Sequence, residues 1–257
     1  FTWDISLNGT FSESKVLKIS DQVSELTLYQ EAGAVFKQIE GKPYSFITGR
    51  TILRNDKGEE ILDAQGLPQL APDLVDFGSG IHRFMAGINN NLSYKNFLLS
   101  FSIDGKFGAK IFSRTHNQLY HRGLLQSTLP GREDGIVLPG VNAEGQPNTV
   151  RIPAQQVSTR AIVQRRRDAV DDFLFDASFI KLRNVSLTYT LPQSVLQSVK
   201  FIQGATISLV GRNLATLMRH TPGIDPETNA LSGNMQGLED NSLPPVRNIG
   251  VNINVKF

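Results

Sequence analysis

The sequence predicts an all-β protein whose antiparallel strands cross a membrane as a β-barrel with long outer loops. Three observations predict it. The final residues alternate strictly: Ile249, Val251, Ile253, Val255 and Phe257 are apolar, and Asn248, Gly250, Asn252, Asn254 and Lys256 lie between them. A period of two puts each set on its own face of a strand. The connections between such strands are alternately short and long, and the stretch from about 113 to 175 is longer than a compact water-soluble domain tolerates as a loop. A transmembrane barrel has short turns at one end and long loops at the other. Finally, the chain is 40% hydrophobic yet holds no run long enough for a membrane helix. A barrel needs none, because its lumen face is polar.

Seven strands are expected in chain order. The first, about 2–11, sets Trp3, Ile5, Leu7, Gly9 and Phe11 against Asp4, Ser6, Asn8 and Thr10. A second run covers about 33–54 with weaker patterning, through Ala34-Val35-Phe36 and Tyr44-Ser45-Phe46-Ile47. The third, about 83–94, opposes Phe84, Ala86, Ile88, Leu92 and Tyr94 to Arg83, Gly87, Asn89, Asn91 and Ser93. Tyr94-Lys95-Asn96-Phe97 reads as a tight turn into the fourth strand, about 97–112, where Phe97, Leu99, Phe101 and Ile103 alternate with Ser100, Ser102 and Asp104.

The fifth strand, about 176–190, is clean in its second half, with Val185, Leu187 and Tyr189 against Asn184, Ser186 and Thr188. Its first half puts Lys181 and Arg183 on the parity of Val185. A charge at the bilayer midplane costs about 2–4 kcal/mol. That half must therefore lie above the lipid, or a bulge must switch faces. The sixth strand, about 204–213, turns Ile207 and Leu209 one way and Thr206, Ser208 and Arg212 the other. The terminal alternation is the seventh. Long connections are expected at about 55–80, 113–175 and 214–245. The stretch 12–32 is discordant: it is expected on the periplasmic side, yet it is not tight.

Composition excludes several classes. With no cysteine there are neither disulfides nor thiolate metal sites, and a net charge of +2 with no basic stripe argues against nucleic acid. The opening Phe1-Thr2-Trp3-Asp4-Ile5 is already strand, with no Met or signal peptide before it. Seven strands are an odd number, and their open edges are untenable in hydrocarbon. Both features create the expectation that this is a piece of a longer chain.

The run Asp176-Ala-Ser-Phe-Ile-Lys-Leu-Arg-Asn-Val-Ser-Leu-Thr-Tyr-Thr-Leu-Pro192 resembles a segment of SusC/RagA-type TonB-dependent transporters. So do Gly211-Arg-Asn-Leu-Ala-Thr-Leu217, Pro222-Gly-Ile-Asp-Pro-Glu227, Gly66-Leu-Pro-Gln69 and Gly87-Ile-Asn-Asn-Asn-Leu-Ser-Tyr-Lys-Asn-Phe97. The matches run in family order over nearly the whole chain. Residues 113–175 follow the pattern least.

The resemblance implies that residues 1–257 are the C-terminal segment of a 22-stranded barrel, with the N-terminal plug domain and the earlier strands outside it. Val251, Ile253, Val255 and Phe257 would then form the C-terminal barrel-assembly signal. It further implies the outer membrane of a Gram-negative bacterium, a SusD-like surface lipoprotein as lid, and import driven by TonB through the absent N-terminal part. The imported solute would be a glycan or an oligopeptide. Outer-membrane lipids and lipopolysaccharide would surround the wall.

On this topology Leu7, Phe97, Leu99, Phe101, Ile103, Leu187, Ile207 and Leu209 are expected to face lipid. Asn8, Asn89, Asn91, Ser100, Asn184, Thr188, Thr206, Ser208, Asn252 and Asn254 are expected to face the lumen. Trp3, Tyr44, Tyr94 and Tyr189 are expected in interfacial girdles.

No catalytic, cofactor or metal residues are expected. Asp56-Lys57-Gly58-Glu59-Glu60 with Asp63 lacks the full calcium-loop pattern and reads as a solvated hairpin turn. Arg165-Arg166-Arg167 before Asp168, Asp171 and Asp172 reads either as an anion contact or as a loop pairing with itself. His82, His116, His121 and His220 have no ligand spacing, and there is no Gly-x-Ser-x-Gly elbow. Two rival readings stand beside the transporter. One is a self-contained small outer-membrane barrel, adhesin or enzyme; the other is a soluble β-sandwich.

Overall fold

The computed structural model describes residues 1–158, 161–197, 201–230 and 236–257. In chain order the strands are β1 (Thr2–Phe11), β2 (Glu25–Glu31), β3 (Ala34–Ile39), β4 (Phe46–Gly49), β5 (Val75–Ser79), β6 (Phe84–Tyr94), β7 (Phe97–Phe107) and β8 (Lys110–Ser113). Then follow β9 (Ile136–Val137), β10 (Arg151–Ile152), β11 (Leu174–Asp176), β12 (Phe179–Thr190), β13 (Gly204–Arg219), β14 (Leu238–Glu239) and β15 (Asn248–Lys256). The helices are α1 (Arg114–His121), α2 (Ala154–Ser158), α3 (Ala161–Arg167) and α4 (Gln193–Leu196).

Six long strands form one sheet in the order β1-β6-β7-β12-β13-β15, every neighbouring pair antiparallel. These are six of the seven strands read from the alternation. The remaining run, 33–54, is not part of this sheet. It supplies β3 and β4 of a separate four-stranded sheet, β2-β3-β4-β5. Residues of both parities are buried in 34–38 and in β4, so these strands show neither a solvent face nor a reliable period.

This correction regularises the topology. Because β1 pairs directly with β6, residues 12–83 are one long connection, and 12–32 is its first part. The links are now long (12–83), tight (β6 to β7), long (108–178), short (β12 to β13, through α4) and long (220–247). All three long connections leave the same end of the sheet. At the opposite end the β6–β7 turn has Tyr94 opposite Phe97, and Lys95 takes the left-handed conformation that a two-residue hairpin turn requires. Six strands are an even number, so strand parity no longer bears on the length of the chain. The sheet is nevertheless open, with β1 and β15 as its edges.

The long connections fold together into a cap. The β2–β5 sheet lies beside a small sheet ordered β11-β8-β14, and the core between them combines Phe36 and Ile47 from the first connection, Phe112, Val170 and Phe173 from the second, and Leu238 from the third. Each such side chain stabilises by about 1.5–3 kcal/mol on burial. The contact is close at Gly33, which has φ +84° and where a β-carbon would collide with the carbonyl of Asp168. Backbone bonds complete the joint: the Phe112 amide donates to Gly237 at 2.7 Å, and Ser45 Oγ donates to the Gln236 carbonyl at 2.7 Å.

Candidate functional site

Register places the two residue sets on opposite faces of the large sheet. Leu92, Leu99, Leu187, Leu209 and Val251 form one cross-strand row, and Tyr94, Phe97, Tyr189, Ile207 and Ile253 form the next. Leu7 meets Ile88, which in turn meets Ile103, Phe101 meets Val185, and Val255 meets Ala205 on the same face. Phe257 follows the paired residues and stacks on Phe201 at 6.1 Å.

The other face carries polar rows. Asn89, Ser102 and Asn184 align, as do Asn91, Ser100 and Ser186, and then Thr188, Ser208 and Asn252. Asn8 lies opposite Gly87, and Thr206 opposite Asn254. Asn184 Nδ2 donates to Ser102 Oγ at 3.2 Å, and the hydroxyls of Thr188 and Ser208 share a bond of 2.8 Å.

The apolar face ends in aromatics on both sides. Trp3, Tyr94, Phe97 and Tyr189 lie at the turn end, where Phe97 and Tyr189 pack with ring centroids 4.8 Å apart. Phe11, Phe84 and Phe107 lie at the loop end, with Phe84 stacked on Phe107 at 5.9 Å. From Phe84 to Tyr94, at about 3.4 Å per residue and a tilt of about 40°, the bands stand roughly 25 Å apart along the normal, the height of a barrel's apolar belt. Tyr44 belongs to neither band. It lies in the cap between β3 and β4, where its carbonyl accepts from Ser79 Oγ at 2.6 Å.

One polar residue lies within the apolar face. Asn90 has the parity of Ile88 and Leu92, opposite Ile5 and Phe101, and is only 7% exposed. Its Oδ1 accepts from Trp3 Nε1 at 3.2 Å. The gap it leaves in the apolar row was visible in the sequence, and an indole N–H needing an acceptor was the matching signal.

A bulge resolves the basic half of β12. The register shifts between Leu182 and Asn184 against both neighbours, so Lys181 and Arg183 share the polar face while Leu182 and Val185 share the apolar one. The loop Asp225-Pro226-Glu227 comes down on these cations. Lys181 Nζ donates to both oxygens of Asp225 at 2.7 Å and to Glu227 at 2.8 Å. Arg183 bonds Asp104 and also reaches Glu227 at 2.7 Å, while Lys106 lies 3.3 Å from Glu227. Burial opposes ionisation of Glu227, but hydrogen bonds from Arg183 and Lys181 outweigh it and hold the carboxyl at about 2. Three cations meet three carboxylates, so the cluster straps the third connection to the wall. Glu227 as a partner of Lys181 was beyond sequence reasoning, because the two are far apart in the chain.

The remaining candidates serve the cap. Asn55 shapes the 55–59 turn by accepting from the amides of Lys57 and Glu59, both at 3.0 Å. Glu60 pairs with Arg54 at 3.0 Å and with Arg166 at 2.6 Å. Asp63 accepts from the amides of Gln65 and Leu67. Of the arginine run, Arg166 also holds Asp172 at 3.1 Å, and Arg165 and Arg167 lie near Asp63 and Glu31. Thus the run pairs with its own loops.

Ser113 Oγ donates to the buried Glu239 at 2.6 Å and lies 3.0 Å from His116 Nδ1. Here the serine stands between histidine and carboxylate, which is not the order of a catalytic triad. Ser113 also caps α1 by accepting from the His116 amide at 3.1 Å.

No known family profile matches the chain. Among curated proteins it is 27% identical over 287 residues to TonB-dependent receptor P3 of Formosa agariphila, covering 100% of this chain and 27% of that receptor. It is 25% identical to TonB-dependent receptor P26 of the same organism, with the same coverage. Among solved structures it is similar to the RagAB peptide transporter, with a TM-score of 0.65 at 17% identity over 99% of this chain and 27% of that one. The RagAB importer in its open-open state gives a TM-score of 0.62 at 18% identity. The chain thus spans 27% of the length of these curated relatives. The likeness to TonB-dependent receptors read from the motifs extends over its full length.

Proposed function

Taking that similarity as the premise, we propose that this chain is a barrel segment of a TonB-dependent outer-membrane importer of the SusC/RagA type. It supplies wall and outer loops, while the plug, the TonB contact and the earlier strands belong to the rest of the protein. The observation that carries the reading is the large sheet. Its apolar face is exposed between two aromatic bands, its other face is polar, and all long connections leave one end. That pattern suits lipid outside, water inside and loops at the cell surface. The open edges β1 and β15 support further strands beside them, because hydrocarbon leaves unpaired backbone groups unsatisfied.

The lipid-facing set is then the row system of Leu7, Leu99 and Leu209, and the lumen-facing set that of Asn89, Asn184 and Asn252. Val251, Ile253, Val255 and Phe257 act as the assembly signal. A SusD-like lipoprotein forms the lid over the cap, and the solute is an oligomeric nutrient, glycan or oligopeptide.

Fractionation of the native host tests this. The protein should remain in washed outer membranes, enter solution only with detergent, co-purify with a surface lipoprotein, and support uptake only in a strain with TonB. Recovery in the aqueous fraction sinks the reading.

A further inference from the structure

The second connection contains a cleft of its own. Three adjoining cavities of about 210, 210 and 290 Å³ run between α1, the 122–138 loop and helices α2 and α3. Every described lining residue belongs to residues 116–173, so the described walls of the cleft come from one connection. Neighbouring cavities share Thr128, Val157 and Val163 on one side and Tyr120, Ser127 and Arg166 on the other, which makes them one continuous space.

Its three parts differ in chemistry. The middle is mainly aliphatic, walled by Pro130, Ile136, Leu138, Val157 and Ile162, with Tyr120 at its border. One end is cationic, with Arg122 and Arg132. Arg132 donates to the carbonyls of Thr128 and Gly123 at 2.8 and 2.6 Å, so its bonds satisfy donors without cancelling its charge. Among the described residues neither Arg122 nor Arg132 pairs with a carboxylate, in contrast to Arg165, Arg166 and Arg167. Glu133 and Asp134, next in sequence, are exposed and line none of the three cavities. The other end mixes aromatic and polar groups: His116, Tyr120 and Phe173 stand beside Ser127, Asp172 and Arg166, whose charge Glu60 and Asp172 already meet. Burial raises the Tyr120 phenol, which keeps it a neutral donor.

From this order of surfaces we infer that the cleft captures the C-terminal residue of an oligopeptide. The free α-carboxylate lies against Arg122 and Arg132. The apolar side chain fills the aliphatic middle, and the preceding peptide group reaches the hydroxyls and Asp172. A neutral sugar is the poorer occupant, because it carries neither an anionic group for Arg122 and Arg132 nor an apolar branch for the aliphatic middle. An apolar pocket with a few convergent polar groups is the ordinary form of a small-ligand site, and guanidinium is the side chain best matched to carboxylate.

This deepens the import reading by choosing the peptide over the glycan, and it rests on that reading only for its biological setting. The experiment therefore uses the purified full-length receptor in detergent, apart from any transport assay. Isothermal titration with acetyl-Gly-Gly-Leu bearing a free carboxylate should show binding. The C-terminal amide and the Gly-Gly-Ala analogue should each bind at least tenfold more weakly.

Arg122→Gln should abolish the preference for carboxylate over amide and keep Leu over Ala. Val163→Phe, which fills the shared wall, should do the reverse. Absence of binding by the leucine peptide, equal binding of its amide, or competition by maltoheptaose overturns the proposal. None of these results moves the protein out of the outer membrane, so failure here and failure of the import reading remain distinct.

Discussion

In the large sheet Leu7 is 73% exposed and Val251 is 66% exposed, whereas in the cap Phe36 and Phe112 are fully buried. The cap follows the rule of water-soluble proteins: apolar side chains converge from three connections and exclude solvent. The sheet inverts it, with apolar rows outward and amides and hydroxyls inward. One chain thus carries two folding codes, and the boundary between them runs along the loop-end aromatics and the Lys181–Glu227 strap. On the proposed barrel reading, lipid supplies the burial that the sheet lacks, and the strap ties the two regions together.

Changes that respect one code and break the other should therefore separate the regions. The largest effect is expected from Phe112→Ala, at about 3–5 kcal/mol for a fully buried aromatic. Limited proteolysis of intact outer membranes should then cut the cap, while the folded barrel band on unheated gels persists. Loss of both would show that the regions are not separable.

Next comes Leu99→Arg, which puts a charge on the apolar face at a cost of about 2–4 kcal/mol near the midplane. Assembly into the membrane should fall well below that of Ser100→Arg on the neighbouring polar row. Equal tolerance of the two would contradict the assignment of faces.

Third, acid should loosen the strap. Glu227 lies at about 2 when folded against an ordinary value of 4.5, so its contribution is full above about 4.5 and is lost as pH falls through about 2. At about 1.36 kcal/mol per unit it is at most about 3 kcal/mol. Cleavage within residues 220–230 should be flat from pH 8 to 5 and rise only below that window, and Glu227→Gln should remove the rise. The smallest effect is that of Trp3→Phe, about 0.6–1.7 kcal/mol for one hydrogen bond in hydrocarbon, read as a lower melting temperature of the barrel band.

The two codes also differ in how well a sequence displays them. Period-two alternation writes the sheet directly into the chain, which is why β6 and β15 are recognisable residue by residue. The expected strand 97–112, by contrast, runs past the end of β7 into β8, and β13 continues to Arg219 beyond the expected 213. The parity of Lys181 left a bulge and a place above the lipid as alternatives. The cap leaves no such mark. Ala34-Val35-Phe36 and Phe46-Ile47 are buried on both faces, so they resemble any apolar run, and only pairing with β2 and β5 shows that they belong beside the barrel wall. Asn90 sat in plain view as a break in an apolar row. The strap and the cleft were illegible, because Lys181 meets Glu227, and Ile136 faces Val157, through folding of loops whose lengths say nothing of where they return.

The spacing of the two aromatic bands has a consequence of its own. With tryptophan, tyrosine and phenylalanine fixed at the ends of strands about 34 Å long, the proposed barrel wall would be a caliper for the bilayer around it. A membrane with acyl chains a few carbons too long would force the belt to tilt or the lipid to thin. Refolding into vesicles of increasing chain length should therefore be fastest where the hydrocarbon is near 25 Å and slow steeply beyond it. On the proposed reading, the rows that end in Tyr94 and Phe84 would thereby favour a membrane of matching thickness.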